Sequence, residues 1–98
     1  TTFTHKRQVL DLHLEGYFTS EIARKIHHDP ENVDRYIDGF QRVLLLKLDG
    51  QSLDKICFYT GLGRNLVGQY LDYIEEKGLD KVKLSNNDNN RDQMPVEE

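Results

Sequence analysis

Apolar residues recur at helical spacing along this chain, in stretches punctuated by glycine, proline and small polar residues. Phe3, Val9, Leu10, Leu12 and Leu14 predict a first helix over 3–16, with Gly16 as its stop. Thr19 suits the N-cap of a short second helix, 20–27, and Glu21 in its first turn suits the helix dipole. Asp29-Pro30 is a stronger start: an N-cap carboxylate, then proline at the first helical position, where a missing N–H costs nothing. From there Val33, Tyr36, Ile37, Phe40, Val43 and Leu44 keep helical spacing, and no breaker comes before Asp49-Gly50. Gly39 inside this run marks a weak point or a close approach. Ser52 caps a fourth helix, 53–60, with Asp54 in its first turn, and Gly61 turns the chain. Leu66, Val67, Tyr70, Leu71 and Ile74 line one face of a fifth helix, 64–77, which Gly78-Leu79 ends in the Schellman manner. Asp80 to Leu84 alternates polar and apolar residues, which suits a brief strand or one more turn, and the polar stretch beyond, 84–98, predicts a flexible tail.

The pattern repeats. Shifted by 34 residues, 10–40 lies on 44–74 without a gap. Leu10, Leu12, Leu14, Gly16, Ile22, Val33, Tyr36 and Asp38 then fall on Leu44, Leu46, Leu48, Gly50, Ile56, Val67, Tyr70 and Asp72. The fold class expected is therefore all-α, with two similar three-helix units in tandem and five main helices. Residues 44–49 align with the first helix yet continue the third, so the long third helix is predicted to be shared. Leu45 and Leu46 widen its apolar stripe, as contact with two small cores requires. The divisions read as 1–43, 44–79 and a polar tail, 80–98.

A helix-turn-helix needs a small residue where its helices cross, a turn four residues later, and a branched apolar residue six beyond that. Ala23, His27 and Val33 meet this spacing, and Cys57, Gly61 and Val67 meet it again. The second copy has the favoured glycine in its turn; His27 in the first is a departure. With Leu14-Glu15-Gly16, then Ser20-Glu21-Ile22-Ala23, then Val33 and Tyr36, the chain resembles the tandem or sigma-region-4-like helix-turn-helix proteins of prokaryotes. It looks most like an uncharacterised prokaryotic family that carries two such units. The resemblance spans 5–77 and implies DNA binding, in regulation or in a mobile element.

In such folds the start of the second helix of the motif offers side chains to base edges in the major groove. In the first unit that face, 29–38, carries four acids and one base, and phosphates would repel it. In the second, Gly63, Arg64, Asn65, Gly68 and Gln69 are offered, with no acid among them. Arginine suits guanine, and asparagine and glutamine suit adenine. The expected base-reading residues are therefore Arg64, Asn65 and Gln69, with Lys55, Lys6, Arg7, Arg24 and Lys25 at phosphates. The acids Asp29, Glu31, Asp34 and Asp38 form the alternative surface, one that a protein partner would contact.

Composition narrows this only modestly. The 98 residues carry a formal charge of −4 and are 37% hydrophobic, enough to fold but without the basic balance that argues for nucleic acid directly. The lone Cys57 is expected in the core as the counterpart of Ala23, in a reducing compartment, rather than as a nucleophile. No run approaches about 18 apolar residues. The chain opens on Thr rather than Met, which leaves processing, or a segment cut from something longer, as open expectations. His27-His28-Asp29 lacks the partners that close a tetrahedral metal site, and His5 and His13 lack the usual pair spacing. No metal, cofactor or catalysis is expected. Tyr36 and Tyr70 read as structural, with hydroxyls near the surface. A 34-residue period is also that of tetratricopeptide repeats, but two copies are too few, their signature is absent and the middle helix is too short. The function expected is a cytoplasmic, sequence-specific DNA-binding protein, a transcriptional regulator that reads double-stranded DNA mainly through its second unit. Homodimerisation is expected, because one module reads few base pairs. Two rivals stay open: an interaction module without DNA affinity, and the DNA-binding segment of a transposase or recombinase.

Overall fold

The computed structural model describes residues 2–81, with side chains from residue 5 onward. The side chain of Phe3 and the expected flexible tail at 84–98 lie outside the described residues. Five helices follow one another: α1 (Thr2–Leu14), α2 (Thr19–Ile26), α3 (Pro30–Leu48), α4 (Leu53–Thr60) and α5 (Arg64–Lys77). Helical backbone resumes over 79–81, so the described part of the ambiguous stretch after Gly78 takes the helical alternative.

The repeat holds at the level of individual backbone bonds. Tyr17 N–H donates to Leu12 O at 3.2 Å, and 34 residues on Gln51 N–H donates to Leu46 O at 3.0 Å. Gly16 N–H to His13 O is matched by Gly50 N–H to Lys47 O, both at 3.0 Å. His27 N–H closes α2 on Ala23 O as Gly61 N–H closes α4 on Cys57 O. Both closing residues are left-handed, His27 at φ 58° and Gly61 at φ 76°. His27 thus adopts a conformation in which a side chain is strained, because the turn geometry belongs to the motif and not to the residue.

Helix ends follow local chemistry with two exceptions. Asp29 accepts from Glu31 N–H at 3.1 Å, with Pro30 behind it as the first residue of α3. Ser52 Oγ accepts from Lys55 N–H at 3.3 Å. Thr19, however, is not a cap: Phe18 occupies that position, and Glu21 reaches back to accept its N–H at 2.8 Å. The Thr19 hydroxyl donates instead to Asp34 on α3, at 3.0 Å. The first helix also ends two residues early, because Glu15 and Gly16 fold into the turn with Gly16 at φ 101°.

Two buried clusters lie along α3. One joins Val9, Ile22, Ala23, Val33 and Ile37. The other joins Leu10, Phe40, Val43, Ile56, Val67, Tyr70, Tyr73 and Ile74. Adjacent residues of α1, Val9 and Leu10, thus serve different clusters. The end of α5 comes back over α1 to complete this arrangement. Tyr73 lies between the Arg7 guanidinium, 5.3 Å from its ring centre, and the Lys77 ammonium, at 5.6 Å. Its hydroxyl donates to Asp11 at 2.5 Å, and Arg7 pairs with Glu76. Gly39 is the close approach anticipated for it: a Cβ there would meet the Tyr70 ring and hydroxyl at 3.4 Å. Three expectations change. The Tyr70 hydroxyl is interior and donates to Tyr36 O at 3.1 Å, because Tyr70 crosses α3 at the bare backbone of Gly39. Leu45 points away from both clusters and is 63% exposed, while Leu46 packs. Cys57 is half-buried at the edge of its cluster rather than within it. No described helix is long and apolar enough to cross a membrane.

Candidate functional site

The α4–turn–α5 segment is pinned from within. Thr60 Oγ donates to Ile56 O at 2.7 Å and accepts from Leu62 N–H at 3.2 Å, so one hydroxyl ends α4 and sets the turn. Ile56 and Val67 are fully buried below it and fix α5 against α4. The tip of α5 is left exposed at Gly63, Arg64 and Asn65, with Gln69 half-buried one turn on. Gly68 lies between them with open space above its Cα, so the backbone is bare there.

The start of α5 differs from that of α3 in ways that matter to an approaching anion. At α3 a carboxylate caps the first turn and Glu31 follows it. At α5 the N-cap is Gly63, which supplies no side-chain acceptor, and no acid occupies the first turn. Uncapped N–H groups and the positive end of the helix dipole favour negative charge at such a place. Lys55 is exposed on neighbouring α4.

Arg64 is not a free cation. It pairs with Asp54 on α4, and both side chains remain exposed, at 66% and 79%. The hydrogen bond from Arg64 and the carboxylate charge hold the guanidinium further above its usual range. This partner was missed in the sequence because Asp54 and Arg64 are ten residues apart on different helices.

The residues assigned to phosphates scatter. Lys6 lies over the Tyr36 ring at 4.7 Å and Lys25 over the Tyr17 ring at 4.9 Å, while Arg24 is exposed. Arg7 serves the α1–α5 clasp: its bond to Glu76 raises its own pKa and lowers that of Glu76. None of these four lies on the α4–α5 segment. The acidic set is largely occupied within the chain. Asp29 caps α3, Asp34 takes the Thr19 hydroxyl and Asp38 pairs with Arg42 at 3.3 Å, while Glu31 is exposed. A shallow depression on the outer face of α3 is lined by Asp34, Arg35, Ile37, Asp38 and Gln41.

One feature of the surface went unread in the sequence. Phe58 and Tyr59 on α4 are 79% and 55% exposed, and their rings meet edge to face at 5.5 Å. The signal was available: 34 residues earlier the same places hold the exposed Arg24 and Lys25. His5 and His28 meet edge to face at 5.0 Å. Among the described residues no three metal-binding side chains converge.

The fold defines an all-α protein of two tandem three-helix units sharing α3, with the later unit presenting an uncapped helix start. The chain belongs to the family described as "Protein of unknown function (DUF1670)", whose model matches residues 1–73. No curated protein and no solved structure matches the chain.

Proposed function

We propose that this chain is a sequence-specific DNA-binding protein, acting in the cytoplasm as a transcriptional regulator, and that its second helix-turn-helix unit reads double-stranded DNA. The start of α5 enters the major groove, where Arg64 suits a guanine edge and Asn65 and Gln69 suit adenine. Lys55 meets a backbone phosphate. The observation that carries this reading is the uncapped start of α5, which lacks acids and holds Arg64, Asn65 and half-buried Gln69 on a pinned scaffold. The resemblance to sigma-region-4-like units supports it. The first unit serves as a brace, since its corresponding helix start is acidic and capped by Asp29. Three of its four acids bond within the chain, which favours DNA reading over a partner docked on the acidic face. The chain acts as a dimer on paired half-sites, because one unit covers few base pairs.

Selection of binding sites from random duplexes tests this, run with the wild-type chain and with Arg64→Ala and Asn65→Ala. The expected result is an enriched site, with each substitution relaxing preference at particular positions. Binding should also weaken steeply with added salt. No enrichment, and no binding to any duplex at about 50 mM salt, would overturn the reading.

A further inference from the structure

Asp54 suits the helix dipole from the first turn of α4, but stability does not explain its pairing with Arg64. It lies on the exposed side of α4, and exposed ion pairs of this kind contribute about 0–1 kcal/mol. The first unit does without it: the residues 34 positions before Asp54 and Arg64 are Ser20 and Pro30, which form no such pair. The pairing therefore belongs to the second unit alone, at the tip proposed to meet DNA.

Its chemistry suits discrimination. Arg64 Nη1 donates to Asp54 Oδ1, which biases the guanidinium toward α4. The five N–H donors of arginine are not exhausted by that bond, and the remaining edge can meet guanine O6 and N7 together. A carboxylate behind an arginine fork reduces the rotamer freedom lost on contact. The same carboxylate weakens attraction to phosphate, which is identical on every sequence. With Lys55 and Arg64 beside it, Asp54 leaves this tip with a single net positive charge. A reader whose cations were all free would be held by the far more numerous non-specific sites.

We infer that Asp54 is a specificity-determining residue of the second unit: it orients Arg64 toward a guanine edge and suppresses binding to phosphate on non-cognate duplex. This rests on the DNA-binding reading above. The test uses the full chain in anisotropy titrations over a range of salt, on the duplex selected by the wild type and on a mixed-sequence duplex. Asp54→Asn and Asp54→Ser remove the charge at an exposed position, the second restoring the residue of the first unit; Asp54→Glu keeps it. The neutral variants should bind mixed duplex more tightly, with a salt slope steeper by about one. Their preference for the selected site should fall about three- to fivefold, because Arg64 and its base contact remain and only the orienting pair is lost. Asp54→Glu should retain most of the preference. If the wild type discriminates and both neutral variants keep its ratio and slope, the role of Asp54 is refuted while the DNA reading stands. If the wild type binds neither duplex, the underlying reading itself fails.

Discussion

His27 carries the clearest energetic consequence of the duplicated design. It closes α2 with φ 58° and ψ 48°, at the place where Gly61 closes α4. A left-handed conformation costs an L-residue roughly 1–2 kcal/mol, which glycine avoids. Glycine in turn forfeits about 0.4–1 kcal/mol through the greater freedom of its unfolded chain. The balance predicts that His27→Gly stabilises the protein by about 0.5–1 kcal/mol. Little opposes this gain: His27 is exposed, and the bonds made by its backbone, including the one from its N–H to Ala23 O, survive the change. For a domain of this size the gain corresponds to a rise in Tm of about 2–8 °C. Gly61→Ala should do the reverse, losing about 1 kcal/mol, because open space at its Cβ leaves only the backbone strain. Urea unfolding followed by helical circular dichroism measures both, provided the slope with denaturant is unchanged. A neutral or destabilised His27→Gly, or a neutral Gly61→Ala, would mean that the two turns do not share the left-handed closure and that the repeat is not structural at its defining point.

Three other outcomes are expected. Arg64→Ala should cost about 1–3 kcal/mol at particular base positions of the selected site, with a smaller loss on mixed duplex from the removed charge, as read by competition binding; a uniform loss would move the base-reading surface elsewhere. Leu10→Ala should lose about 2–5 kcal/mol, with one unfolding transition for the whole chain, since this α1 residue lies in the cluster of the second unit. Two separated transitions in calorimetry would show the units to be independent. Burial pushes the Tyr70 phenol up to about 12 from its ordinary 10.0. The unfolded chain ionises first, so this contribution is complete below pH 10 and is lost as pH rises toward 12. The fall in stability over that range should be smaller in Tyr70→Phe, which has no phenol to ionise; equal falls in denaturant melts at the two pH values would refute the assignment.

Much of this architecture is legible in the sequence. Asp29-Pro30 and Ser52 announced their helices because capping is a transaction among residues two or three apart. Gly61 and Gly78 marked turns because left-handed backbone selects glycine. The 34-residue repeat supplied the rest, including a third helix shared between units. Thr19 misled for an instructive reason: Glu21 accepts the Phe18 N–H, which puts the helix start one residue earlier, while the Thr19 hydroxyl donates to Asp34, fifteen residues away.

The candidate site divides in the same way. Arg64, Asn65 and Gln69 could be placed at a helix start from periodicity, which also indicates a common polar face. That Arg64 is bound to Asp54, that Arg7 is spent on Glu76, and that Leu10 and Val9 part company could not be. Helix positions and turns are set by bonds spanning a few residues, so composition and spacing along the chain suffice to locate them. Which side chains of different helices meet depends on how the helices cross, and that is chosen by the packing of all the buried residues together, as where Tyr70 settles against the missing side chain of Gly39.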